Sequence, residues 1–269
     1  MRRKGKGGTR PKGTVLIVGG AGRMGRWFTN FFRNMDYRVL ISSRNPLTAA
    51  TVAKKMGVEP GSIEDARFAD IVLVSAPVKA TQEICLKAAG NMRDDSALVE
   101  ISAVKKGVEE LAMKMPSKLG FLSIHPLFGP ATKSINGQDV VIVHNKENKW
   151  TWKLLRSMEE RGAKFVLMSS RDHDKYMACV QSLHHFAILS LGYALQECLC
   201  ESIEGAATRS MRATMRTLRS MLSNLDSIAE IQAENPYSEE ARNLFLAVVK
   251  EFAEKDPRQW IAELRQGDR

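Results

Sequence analysis

The stretch that most restricts how this chain folds is Thr14 to Arg44, TVLIVGGAGRMGRWFTNFFRNMDYRVLISSR. It opens on an unbroken apolar run, Val15 to Val18, of the kind that suits a strand buried on both faces of a parallel sheet. Gly20-Ala21-Gly22-Arg23-Met24-Gly25 follows at once in the order G-x-G-x-x-G. Met24, Trp27, Phe28, Phe31 and Phe32 then recur at helical spacing, and Tyr37 to Ile41 supplies a second strand. Glycines in such a turn let the backbone approach a pyrophosphate, whose charge rests on the free N–H groups of the helix start. Strand, glycine turn, helix and second strand stand in the order a dinucleotide-binding unit requires.

The end of the second strand speaks to which dinucleotide. Sites for NAD usually carry an acid there to bond the ribose hydroxyl, whereas this chain has Ser42-Ser43-Arg44. Ser43 and Arg44 suit a 2′-phosphate, so NADP is expected, with NAD as the alternative.

Further apolar runs follow at Ile71–Val74, Ala97–Ile101, Phe121–Ile124, Val140–Val143 and Phe165–Met168, alternating with helical segments. Seven such runs predict an α/β fold with a Rossmann-like doubly wound sheet over residues 14–169. Functional residues of such sheets gather where strands end. Three runs lead into Ser75 (with Pro77 close behind), Ser102 and His125. Beyond about Ser170 the short β-branched runs stop and helical periodicity continues, which predicts an all-helical domain over 170–269. Lys175–Leu199 and Ile203–Leu222 read as single long helices. The first is apolar nearly all round, so it needs cover, and a homodimer through the helical domain would provide it.

Charge is unevenly spread. Arg2, Arg3, Lys4, Lys6, Arg10 and Lys12 contribute six of the formal +10. Residues 1–13 therefore read as a disordered basic tail, and the remaining surplus is too small to argue for nucleic-acid binding. No apolar segment follows the tail and no run is long enough to span a bilayer, so the expectation is a cytoplasmic protein with no membrane partner. Cys85, Cys179, Cys198 and Cys200 lack C-x-x-C spacing and read as free thiols, with no metal site.

Five histidines are available for chemistry. His125 ends a strand and is followed by Pro126 and Phe128-Gly129-Pro130. His184 and His185 are neighbours on a helix, so one of them at most faces any one site. Arg209, Arg212, Arg216 and Arg219 stack along one helical face with no acid between Gly205 and Leu225. Such a stripe is either a solvated face or a clamp for a carboxylate.

The blocks GGAGRMGRWF (Gly19–Phe28), SIHPLFGP (Ser123–Pro130) and VQSLHHFAILSLG (Val180–Gly192) together resemble the prephenate dehydrogenase family of tyrosine biosynthesis, in its short archaeal form. The likeness runs from about Val15 to Pro236. It implies oxidative decarboxylation of prephenate to 4-hydroxyphenylpyruvate with hydride transfer to NAD(P). His125 then matches the catalytic histidine that bonds the ring hydroxyl, and Ser102 the serine that supports it. His185 matches a substrate-contacting histidine. Arg219, placed by counting back from DSIAEIQAENP, matches the arginine on a substrate carboxylate, with Arg216 one turn away. Gly20, Ala21, Gly22, Arg23, Met24, Gly25, Ser43, Arg44, Ser75 and Pro77 would hold the cofactor. Ala131-Thr132-Lys133 departs from members with an acid after the FGP block, and the length leaves no room for a fused mutase or regulatory domain. Arogenate, the amino analogue, is the alternative substrate. More distant readings are a β-hydroxyacid dehydrogenase, which lacks the HPLFGP block, and a non-catalytic NADP-binding sensor.

Overall fold

A computed structural model describes residues 11–198 and 207–267; the first ten residues of the expected tail, Cys200 and the start of the second expected long helix lie outside them. The chain divides into two compact units that meet in sequence at His173 and Asp174.

The first unit is built on an eight-stranded sheet in the order β3-β2-β1-β4-β5-β6-β7-β8. Its strands are β1 (Thr14–Val18), β2 (Arg38–Ser42), the two-residue β3 (Glu59–Pro60), β4 (Ile71–Val74), β5 (Ala97–Glu100), β6 (Gly120–Pro126), β7 (Asp139–Lys146) and β8 (Lys164–Leu167). Strands β1 to β6 run parallel. The last two depart from the expected parallel winding: β7 is antiparallel to β6, and β8 runs parallel to β7. The cause is the connection. Residues 127–138 contain no crossover helix, so the chain can only turn back beside the strand it left.

Both faces of the sheet are covered, which is why its strands are apolar throughout. One face packs on α1 (Arg23–Arg33) and α5 (Lys149–Glu159), with Phe28, Phe32, Leu154 and Met158 in the shared core. Phe28, Phe31, Phe32 and Tyr37 form a chain of edge and tilted ring contacts. Burying each such ring contributes about 1.5–3 kcal/mol. The other face packs on a 3-10 turn (Ile63–Phe68), α3 (Val78–Asn91) and α4 (Val108–Met113) through residues such as Cys85, Ala88 and Leu111. Helix α2 (Pro46–Met56) shows how locally its ends are specified. Asn45 accepts from the N–H groups of Leu47 and Thr48, Pro46 stands in the first turn, and Gly57 closes the helix at φ +65°, as capping chemistry predicts. Residues 11–13 are not free of structure: the Lys12 N–H donates to the Asp36 carbonyl at 3.0 Å.

The second unit is helical. The expected uniform helix from Lys175 is instead α6 (Ser170–Met177), which begins in the first unit, a π-helical stretch at Ala178–Leu183, and α7 (His184–Cys198). The wider turns rotate everything after them relative to an ideal helix running on from Lys175. Ser182 anchors the stretch, its carbonyl accepting from Gln232 Nε2 at 2.6 Å and its hydroxyl bonded to Ser238 at 2.7 Å. Helices α8 (Arg209–Leu222), α9 (Leu225–Glu234), α10 (Ser238–Glu254) and α11 (Pro257–Gly267) complete the unit. Gly192 lets α7 approach α8: a Cβ there would come within 2.6 Å of Leu218.

Candidate active site

Strand register aligns one edge of the sheet. Val18 pairs with Val74, Val74 with Glu100, and Glu100 with Ser123. Gly19, Ser75, Ser102 and His125 therefore all lie one or two residues beyond a single rung. The order of strands reverses between β1 and β4, the switch point at which open α/β sheets bind ligands.

The glycines at that edge answer different needs. Gly19, at φ +81°, could not carry a side chain, since its Cβ would fall 2.0 Å from the Ser75 carbonyl oxygen. At Gly20 a Cβ would meet Ile41 at 2.5 Å, and at Gly25 the Gly19 carbonyl oxygen at 2.3 Å. The N–H groups of Gly19 and Gly20 both donate to the Ser42 carbonyl at 2.9 Å, closing the loop against β2. Gly22 is the exception: a Cβ there would meet only the Gly19 oxygen, at 3.1 Å. Packing therefore leaves open space above the backbone at the N-cap of α1. That helix start has no side-chain cap and no acid in its first turn, so its leading N–H groups and the helix dipole favour an anion. A cradle of this shape and polarity fits the pyrophosphate of a dinucleotide. At the end of β2, Ser43 donates its hydroxyl to the Asn45 carbonyl at 2.7 Å. Arg44 is exposed and has no ion-pair partner among the described residues. Pro77 is the N-cap of α3, and the Ser75 N–H donates to the Val18 carbonyl.

His125 lies on β6, 5% exposed. Its Nδ1 is 2.9 Å from Nε2 of His173, which is itself fully buried. Burial, then the neighbouring His173, then the Lys105 charge hold the His125 pKa well below the ordinary histidine value, so the ring is neutral at physiological pH. Ser102 does not bond to His125: its hydroxyl accepts from the Val104 N–H at 3.4 Å and its own N–H donates to Glu100 Oε2 at 2.8 Å.

Beneath them runs a buried polar cluster. Lys105, 0% exposed, donates to Glu100 Oε1 at 2.5 Å and to the Ile124 carbonyl at 2.8 Å, and Glu100 is 1% exposed. The Ser123 hydroxyl also donates to Glu100. Sequence reasoning passed over Glu100, Lys105 and His173. The available signal was Glu100, a carboxylate inside an otherwise apolar central strand that had to have a partner.

The FGP block is tied to the glycine helix. Phe128 packs on Trp27 with ring centroids 4.7 Å apart, and Trp27 Nε1 donates to the Thr132 carbonyl at 2.7 Å. A groove of about 680 Å³ on the outer side of α1, lined by Arg23, Arg26, Trp27, Lys133 and Arg161 among others, does not include His125.

In the second unit, His185 is half-buried and its Nδ1 is buried with no hydrogen-bond partner among the described residues. Burial, with His184 beside it, lowers its pKa. Arg209, Arg212, Arg216 and Arg219 all lie on the exposed side of α8, opposite Leu218 and Met221.

An eight-stranded α/β unit with an open glycine cradle at its switch point, followed by a helical unit, defines a dinucleotide-binding protein. Residues 30–167 match the model of the prephenate dehydrogenase nucleotide-binding domain. The chain belongs to the prephenate dehydrogenase family. It is 30% identical over 256 residues to a probable arogenate/prephenate dehydrogenase of Methanocaldococcus jannaschii, covering 90% of this chain and 56% of that protein. It is 28% identical over 185 residues to the T-protein of Haemophilus influenzae, covering 68% of this chain and 45% of that one. The chain thus spans about half the length of these curated relatives. The crystal structure of A. aeolicus prephenate dehydrogenase with hydroxyphenyl propionate and NAD+ shares the fold, with a TM-score of 0.72 at 23% identity over 98% of this chain and 99% of that one.

Proposed function

We propose that this chain is a prephenate dehydrogenase, oxidising and decarboxylating prephenate to 4-hydroxyphenylpyruvate with NADP in the cytoplasm. The observation that carries the reading is a neutral, buried histidine standing at the same sheet edge as the open glycine cradle. The substrate asks for a group to take a hydroxyl proton and for cations to hold two carboxylates. When bound, the nicotinamide would supply the acceptor for a hydride from the hydroxyl-bearing ring carbon, the ring carboxylate leaving as carbon dioxide. His125 holds the hydroxyl proton at Nε2 as that carbon becomes carbonyl-like, and returns it to the oxygen once the ring is aromatic. His185 contacts the substrate, and Arg219 or its neighbour Arg216 holds a carboxylate by its planar fork. Gly20 to Gly25 seat the pyrophosphate, Ser75 and Pro77 line the cofactor side of the sheet edge, and Ser43 and Arg44 receive the 2′-phosphate. The lack of an acid at the end of β2 and the unpartnered Arg44 support NADP over NAD.

Exposed apolar side chains support a homodimer through the helical unit. Helix α7 has no buried residue in the single chain, and Tyr193 and Leu244 are 67% and 66% exposed. Such a face needs cover.

The test is the initial rate of nicotinamide reduction with prephenate and with arogenate, each against NADP and NAD. Turnover with prephenate and a higher kcat/KM for NADP are expected. Turnover with arogenate alone moves the substrate to the amino analogue, which the M. jannaschii relative's description also admits. No turnover with either overturns the proposal.

A further inference from the structure

We propose that His173 is the positioning residue for His125: it accepts the His125 Nδ1 proton and so holds that ring in the tautomer whose Nε2 carries the lone pair. The inference rests on the function proposed above for its consequence, but not for its geometry.

The two rings meet edge to face, with centroids 5.1 Å apart, planes at 66° and the nitrogens at 2.9 Å. At that distance the pair shares one proton. A second would leave two N–H donors facing each other with no acceptor between them, in a buried site that already holds the Lys105 ammonium, balanced by Glu100. Two arrangements remain. If His173 donates to His125, the His125 proton sits on Nε2, and the ring cannot take a proton from anything. If His125 donates from Nδ1, Nε2 is left as an acceptor. Among the described residues Nε2 has no hydrogen-bond partner. Only the second arrangement leaves Nε2 able to take the proton of the substrate hydroxyl, so it is the one that the proposed function requires. An imidazole free in water prefers the opposite tautomer, with its proton on Nε2. The protein therefore has to impose this one, and it is His173, not Ser102, that meets Nδ1.

The consequence for the reaction is double. The lone pair on Nε2 is available for the substrate hydroxyl proton. When the imidazolium forms, its Nδ1–H already points at a neutral acceptor, which steadies the charge without adding another. A histidine does this more weakly than a carboxylate would, but keeps the resting His125 neutral.

The test uses the full chain labelled with 15N-histidine and long-range 1H–15N correlation, a readout that needs no substrate. With five histidines, the His125 signal is assigned by its loss in His125→Asn. The expected spectrum shows His125 protonated on Nδ1; protonation on Nε2 overturns the proposal. His173→Leu should switch His125 to the Nε2–H tautomer. It should also lower kcat about 100-fold, the scale of a general base, while KM changes less than about threefold. His173→Gln keeps an acceptor where Nε2 stood and should restore kcat to within about tenfold of the native chain. Equal kcat in the leucine and native forms, or equal losses in leucine and glutamine variants that both fold, also overturn it. If His173→Leu does not fold, the native spectrum and the glutamine variant decide. A chain inactive on both prephenate and arogenate would remove the proposed function, yet the spectrum would still decide the tautomer.

Discussion

Lys105→Met tests whether the buried cluster under His125 is an ion pair that the first unit depends on. Lys105 and Glu100 are 0% and 1% exposed, and the ammonium donates to both Glu100 and the Ile124 carbonyl. Methionine nearly matches the volume, so the loss is electrostatic rather than a cavity. Breaking one side of a buried pair costs about 3–5 kcal/mol, since the partner charge stays behind. Glu100 would keep two donors, the Ser123 hydroxyl and the Ser102 N–H. That places the expected loss near the lower end, about 3 kcal/mol, or roughly 6–12 °C in Tm. Tryptophan fluorescence during urea unfolding is the assay, because Trp27, Trp150 and Trp152, three of the four tryptophans, lie in the first unit. Glu100→Gln combined with Lys105→Met should recover at least about 1 kcal/mol relative to the sum of the single changes. The lysine charge also opposes protonation of His125, so the acidic limb of activity should move to higher pH in Lys105→Met. A loss below about 1 kcal/mol, or strict additivity in the double variant, would refute the reasoning.

The glycines should separate by role. Gly25→Ala should cost about 1–3 kcal/mol from overpacking, read by chemical denaturation. Gly22→Ala should leave stability within about 0.5 kcal/mol but weaken dinucleotide affinity about tenfold or more by calorimetry. The His125 pKa lies below its unfolded value, so its contribution to stability is complete above about pH 6.5 and is lost as pH falls below that. His125→Asn should therefore remove up to about 1.4 kcal/mol per pH unit from the acid-side slope of stability; an unchanged slope would contradict the burial argument. Arg44→Glu should move the NADP to NAD ratio of kcat/KM about tenfold or more toward NAD, on the scale of a lost charge-assisted contact. Analytical ultracentrifugation should show a dimer that Leu244→Glu weakens, and a monomeric native chain would dismiss the homodimer.

The cradle was legible because each of its requirements is local. A strand of Val and Ile, glycines where the backbone must turn or be approached, and aromatic residues every three or four positions specify β1, the loop and α1 without reference to distant residues. The same holds for Asn45-Pro46 and Gly57 at the ends of α2, and for His125 at the end of its strand. Straight periodicity failed where a tertiary contact outweighed it. Ser182, bonded to residues of α9 and α10, holds a π-helical stretch that no 3.6-residue pattern announces. The absence of a helix in residues 127–138 turned β7 around, a matter of connection rather than of the strand's own composition.

The sequence by itself determined the α/β-then-helical order, the dinucleotide cradle and His125, since all of these rest on the spacing of neighbours along the chain. Only the tertiary structure decided what His125 touches. His173 lies 48 positions away, and Lys105 reads along the chain as an ordinary surface lysine. Burial makes them consequential, and burial is a property of the whole packed sheet: in a low-dielectric interior a charge must find a partner and an imidazole must choose a tautomer, whereas in water neither is compelled.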